Sequence, residues 1–410
     1  MSNVNRSNGY FMIIVLWLAY VTFSMNWVAG SSLMPQITQS FFGTAHVDPV
    51  ITQVLNYSIT AARVFANILA ALILMKLGPK KAASVAIGLL IAALVAVYLP
   101  NYWAYAVARM VMGLGGSMVI VYMNPVVAHY ISNPNEKLRI NALNTVSYNV
   151  GAFIVSVLFT FFAAQLTADW QLTLTVFASI ILVLFVLWLI KAEDFETESN
   201  TSGSTVEYGY GKAIRDLFLW KYTIGFGGFL FLYVLALTAL KPVFDEYTLL
   251  NGAIVNLLVS GAGILGTFAG VKIGNMGTPR KPVLLLSGIM MIAFFALILV
   301  FANRYPVVSY GCALLSGFAM FIQYPIYMNL PHEFKDASPQ KLTVLFGLFW
   351  AMGYAIETVL MIVWSYLLGA AGYTVAMTFF IAGACLYPVS VALLPETRPS
   401  RKNVSESKAA

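Results

Sequence analysis

KAEDFETESNTSGSTVEYGYGKAIRD, residues 191–216, is the stretch on which the fold turns. It opens with acidic side chains, continues through SNTSGST, and holds too few apolar residues to bury a core of its own. On both sides the chain is the opposite. Runs of mostly apolar residues follow one another, each near the length of about 20 that an α-helix needs to cross about 30 Å of hydrocarbon. Six lie before the stretch, at residues 10–34, 50–75, 82–99, 102–130, 140–164 and 170–190. Six lie after it, at 217–240, 249–271, 282–301, 307–330, 342–368 and 373–394. The reading is an all-α membrane protein with twelve transmembrane helices in two six-helix bundles. The bundles are 1–190 and 217–396, joined by a cytoplasmic linker loop, 191–216, and followed by a cytoplasmic tail, 397–410.

Composition agrees. The 410 residues are 60% apolar and 10% charged, against about 45–50% and about 25% in soluble domains. The mean hydropathy is +0.82. The first run follows a polar octapeptide with one basic residue, Arg6, and lacks a small-residue cleavage site, so it reads as a retained span. Cys312 and Cys385 both sit inside apolar runs, which excludes a disulfide framework and a thiolate metal site. Paired catalytic carboxylates, phosphate-cradling glycine loops and metal-ligand spacings are missing too, so neither an enzyme nor a cofactor or metal is expected.

The net charge of +7 reflects topology. With both termini in the cytoplasm, 19 of the 23 Lys and Arg fall in cytoplasmic segments, Lys221 at the inner end of the seventh run counted among them, two (Lys241 and Arg304) in outer loops, and two (Arg63 and Arg109) deep in spans. Nucleic acid is therefore not an expected partner.

The two halves resemble each other. VYMNP at Val121 returns as IYMNLP at Ile326, and the Gly151 run GAFIVSVLF is similar to the Gly353 run GYAIETVLM. Spans 1, 4 and 5 thus match spans 7, 10 and 11 in the same direction, a parallel repeat about the membrane normal.

Polar residues in hydrocarbon are costly and mark cavities or helix contacts. Every third span, 3, 6, 9 and 12, has no charged residue, His or Asn in its interior, and the single Gln among them, Gln171, stands at the outer start of span 6. Span 2 carries Asn56, Thr60, Arg63 and Asn67 on one helical face. Span 5 has Asn144 and Tyr148, span 10 has Gln323, Tyr324 and Tyr327, and span 1 has Asn26. Asn56, Asn67, Asn26, Asn144, Tyr148, Gln323, Tyr324 and Tyr327 join Arg63 as candidates for substrate binding, with helix-to-helix adhesion as the plainer reading.

Glu357 is the acidic residue deep in a span. It lies about 24 Å above Lys341, and Arg63 about 25 Å above Lys80, at the α-helical rise. The matched heights allow the two to meet. Glu357 and Arg109 are the candidates for proton coupling or gating. For Arg109, hydrogen bonding to backbone carbonyls is an equal alternative.

RMVMGLGG, Arg109 to Gly116, resembles the fourth-span motif of the major facilitator superfamily, with Met112 in place of the usual Gln. ALILMKLGPKK, Ala71 to Lys81, resembles the family's signature between spans 2 and 3, with Met75 where that signature has Asp. Its second-half counterpart, GVKIGNMGTPRK, has Gly274 at the acidic position. The MPQITQSFF run after span 1 is similar to the cyanate permease branch. The resemblance implies the major facilitator fold. Spans 1, 4, 7 and 10 would surround a central cavity, spans 2, 5, 8 and 11 would line the contact between halves, and 3, 6, 9 and 12 would lie outside. The family's fifth-span antiporter motif wants a Gly-Pro pair where this chain has NVGAF.

The expected function is a secondary active transporter, monomeric in the bilayer, moving a small organic or inorganic anion by alternating access with protons as a coupling ion. Proton-driven efflux of a lipophilic compound is the alternative within transport, and a membrane sensor the alternative outside it.

Overall fold

The computed structural model describes residues 6–43, 47–131, 133–195, 209–334, 336–337 and 339–398. The middle of the linker, Lys335, and the tail with Arg401, Lys402 and Lys408 lie outside the described residues. The first half consists of α1 (Arg6–Ser32), α2 (Met34–Phe42), α3 (Pro49–Thr52), α4 (Val54–Leu90), α5 (Ala92–Val97), α6 (Tyr102–Tyr130), α7 (Pro134–Ala168) and α8 (Trp170–Lys191). After the linker come α9 (Tyr210–Ala213), α10 (Leu217–Thr238), α11 (Leu240–Tyr247), α12 (Gly252–Asn275) and α13 (Arg280–Phe301). The chain ends with α14 (Pro306–Asn329), α15 (Pro339–Ala371), α16 (Tyr373–Ala384) and α17 (Leu386–Leu393).

Among the described residues, eleven helical segments are long and apolar enough to cross a membrane. One of them, Val54–Val97, has 44 residues. That is about 66 Å of helix, twice the hydrocarbon thickness. It leaves helical geometry at Gly78 (φ 76°, ψ 168°) and reverses there. Ile59 before the break and Ala86 after it both lie against α6, at Gly113 and Gly115. The two arms, on either side of Gly78, coincide with the second and third apolar runs of the sequence.

Four of the crossings begin with a short polar side chain that caps the helix. Asn101 accepts from the backbone of Trp103 and Ala104, Asp169 from Leu172, Asp216 from Phe218, and Asn251 from Ala253 and Ile254. Each satisfies amide hydrogens that a helix start leaves free.

The loops with Lys76, Lys80 and Lys81 and with Arg280 and Lys281 mark one end of the bundle, the basic end. There the missing acids at Met75 and Gly274 are replaced from elsewhere. Asp194, just past α8, accepts from the Lys80 backbone N–H at 3.2 Å. Glu396, just past α17, accepts from Arg280 and Lys281 N–H groups at 2.9 Å each. The two acids stand at the same offset as the Gly151 and Gly353 repeats. Glu333 adds a buried ion pair to Arg280 at 2.7 Å.

Gly78 is required at its turn, because its φ and ψ belong to a region that only glycine enters readily. Gly78→Ala is expected to cost about 1–3 kcal/mol and lower the melting temperature of the purified protein. Gly311→Ala, where an added Cβ meets nothing within 4 Å, should leave it unchanged. Equal melting of the two variants would show that the turn is not strained.

The halves meet along two pairs, α4 with α15 and α7 with α12, while α1 reaches α10 and α11. Helices α8 and α13 pack against their own halves. This is the interface that the family resemblance implied. Away from the basic end the seam is tight. A Cβ on Gly369 would come within 3.1 Å of Pro49, and Phe153 stands 2.9 Å from the Cβ position of Gly261. Thr60 and Thr358 hydroxyls bridge α4 and α15 at 2.7 Å. Toward the basic end, Asn67 and Trp350 are only half-buried, and Leu72 and Met75 are exposed.

Candidate functional site

Arg63 is the centre of the arrangement. It lies on the interface face of α4, 4% exposed. Its Nε donates to Ser117 Oγ of α6 at 2.8 Å and its Nη2 to the Tyr20 hydroxyl of α1 at 2.9 Å. A guanidinium has five N–H hydrogens, so three are left without a protein acceptor among the described residues. Tyr20, Phe23 and Trp27 recur at helical spacing on one side of α1, and the last two rings stand 5.6 and 5.7 Å from the Arg63 guanidinium carbon. From the other half, the Tyr354 ring covers it at 4.5 Å. Rings at this distance hold a cation by their π faces without consuming its hydrogen-bond donors.

Glu357 is fully buried one turn along α15 from Tyr354. Its Oε1 has no hydrogen-bond partner, and the Thr358 hydroxyl stands 3.5 Å from Oε2. The expected encounter with Arg63 does not occur in this conformation. The ion pairs among the described residues are Lys241–Asp245, Arg280–Glu333, Lys341–Asp336 and Arg398–Glu333. Height along the membrane brought the two residues to one level, but rotation of α4 turns the guanidinium toward α1 and α6. The two groups remain within electrostatic range.

Two further unpartnered polar groups belong to this neighbourhood. The Tyr148 hydroxyl is buried without a partner, its ring edge-on to Trp27 at 5.6 Å and to Tyr233 at 5.5 Å. Asn149 accepts from the Tyr233 hydroxyl at 3.2 Å while its Nδ2 has no acceptor. Tyr324 stacks on Phe229 at 5.6 Å and is in electrostatic range of Arg63 and Tyr20. Asn144 and Asn67, one turn from Tyr148 and Arg63, are half-buried, and the Asn144 Oδ1 has no partner.

Other candidates are turned elsewhere. Asn56 accepts from Trp27 Nε1 at 3.0 Å and Ser31 Oγ at 2.6 Å and donates to Gln53 at 2.8 Å, so its side chain ties α1 to α4. Tyr327 and Tyr222 exchange hydroxyl-to-carbonyl hydrogen bonds at 2.5 and 2.8 Å, holding α14 to α10. Gln323 faces α13, donating to the Met291 sulfur at 3.3 Å. Asn26 donates to the Thr22 carbonyl at 2.9 Å. In this conformation the polar groups of these four meet neighbouring helices, because a helical face meets helices as well as a cavity.

Arg109 takes the structural alternative. It donates to the backbone carbonyls of Leu55, Asn26 and Trp27 at 3.1 to 3.5 Å. Gly30 makes that possible, since a Cβ there would stand 2.2 Å from the guanidinium. Three of its five N–H groups are taken up in this way in this conformation. The MPQITQSFF run is α2, and its Phe41 and Phe42 pack on Tyr102. It serves that packing and lies apart from Arg63.

Tyr20, Ser117, Tyr233 and Tyr354 were not singled out by the sequence. The spacing of Tyr20, Phe23 and Trp27 was a usable signal, but aromatic residues are 14% of the chain and give little contrast.

The chain matches the family model described as Major Facilitator Superfamily over residues 13–356. An uncharacterized protein of Mesomycoplasma hyopneumoniae is 24% identical over 447 residues, covering 95% of this chain and 92% of that protein. A protein of Mycoplasma genitalium named as a major facilitator superfamily transporter is 26% identical, covering 72% of this chain and 59% of its own. Among solved structures, a D-xylose-proton symporter superposes with a TM-score of 0.73 at 15% identity, covering 95% of this chain and 99% of the other. A human organic anion transporter gives 0.69 at 13%, covering 96% and 100%. At such identity the structural likeness concerns the fold alone.

Proposed function

The chain belongs to the Major Facilitator Superfamily, a family of multi-pass membrane transporters, and from that premise we propose that it is a secondary carrier for a small carboxylate. One observation carries the reading. A buried guanidinium stands between the two halves with three N–H groups unused by the protein. An isolated buried charge is costly, and a carboxylate offers it two parallel charge-assisted hydrogen bonds. A neutral solute leaves the charge uncompensated.

In this reading the tight seam beyond Thr60 and Thr358 is a closed outer gate, and the half-buried residues toward the basic end face an open inner path. Both termini and the basic loops are cytoplasmic, following the loop charges. The halves 1–190 and 217–396 rock about the α4–α15 and α7–α12 contacts in a monomer. Glu357 binds the coupling proton.

Uptake into proteoliposomes tests this. A labelled small carboxylate is expected to enter and its amide analogue not to. Equal handling of acid and amide would move the reading to export of a lipophilic compound.

A further inference from the structure

Resting on that reading, we infer that the substrate is a monocarboxylate with a planar, apolar body, such as an aromatic or conjugated acid. The charge side of the argument is a count. Among the described residues the buried cations are Arg63, Arg109 and Arg280. Arg109 donates to three backbone carbonyls of the first half, away from the contact between halves, and Arg280 pairs with Glu333. A single guanidinium is therefore available between the halves, which matches one carboxylate and leaves the second charge of a dicarboxylate unpaired.

The body of the substrate is read from what adjoins that guanidinium. On α15, Trp350 stacks on Tyr354 with ring centres 5.9 Å apart and planes 20° from parallel, and Tyr354 in turn covers Arg63. Across from them, Tyr324 and Tyr233 each stack on Phe229 at 5.6 and 5.8 Å. Tyr354 and Tyr324 lie within electrostatic range of each other. Trp350, Tyr324 and Tyr233 are half-buried, so part of the ring surface of this cluster is left uncovered. Their faces reward an apolar planar group in offset or edge contact.

Binding of benzoate, acetate, succinate, benzamide and xylose to the purified full chain, by calorimetry, tests the inference. Benzoate is expected to bind about tenfold more tightly than acetate, the scale of one well-packed ring contact, and to exceed succinate similarly. Trp350→Leu should bring the benzoate-to-acetate ratio to about one. Tyr324→Leu serves the same purpose if the first variant does not fold. Equal binding of acetate and benzoate, or an unchanged ratio in the variants, overturns the aromatic body and leaves the carboxylate carrier standing. Benzamide or xylose bound as tightly as benzoate overturns the carrier reading itself. No binding of any acid overturns both.

Discussion

Arg63→Lys should weaken carboxylate binding and transport sharply although the charge is kept. A hydrogen bond to a charged group contributes about 1.5–3 kcal/mol, so losing one arm of a bidentate pair corresponds to about 10- to 100-fold in affinity. An ammonium lacks the planar fork that Ser117, Tyr20 and the substrate would share, and its compact charge is more strongly hydrated. It also stacks less well beneath Tyr354, whose ring now stands 4.5 Å from the guanidinium carbon. Arg63→Gln should abolish binding altogether. The measurement is calorimetric titration of one carboxylate into wild type and both variants, with melting temperature recorded alongside. An affinity in Arg63→Lys within twofold of wild type would make Arg63 a structural tie between α1 and α6. A drop in melting temperature without a drop in affinity would say the same.

The membrane-spanning helices were readable because hydrocarbon enforces its own length, and the stretch at 191–216 breaks that rule visibly. The turn at Gly78 was readable from GPKK, but the source of its acid was not. Asp194 lies more than a hundred residues away and reaches Lys80 only once α8 has packed. At the site, Arg63 and Glu357 stood out because charge in a span is rare. Asn56 and Arg63 share one face of α4, yet Asn56 is saturated by Trp27, Ser31 and Gln53 while Arg63 keeps donors free. Periodicity gives the face and not the neighbour that meets it. Tyr354 shows the converse. Nothing in its own span marks it, and its role arises from α15 crossing α4 at the level of Arg63.

Glu357→Gln is expected to abolish proton-driven accumulation while leaving substrate exchange intact. The carboxyl group is sealed in the α4–α15 contact with Oε1 unpartnered, no cation within ion-pair distance, and the Thr60–Thr358 bridge beside it. A charge there would have no ion-pair partner among the described residues, with Arg63 in range but turned toward α1 and α6, so ionisation disfavours the closed seam. Opening the seam would admit water to the same group. Closure of α4 on α15 and proton uptake by Glu357 are thereby linked, and any ligand that shifts one equilibrium shifts the other in proportion. Glutamine has the shape of the acid without the exchangeable charge. The seam of the variant can then open and close with substrate bound, but a pH gradient no longer biases it. In proteoliposomes, counterflow of a labelled carboxylate should persist at a rate near that of wild type, and concentration driven by an imposed pH gradient should fall to the level of equilibration. Accumulation retained by Glu357→Gln would place the coupling group elsewhere. Loss of counterflow together with accumulation would assign Glu357 to substrate binding or to the packing of α15.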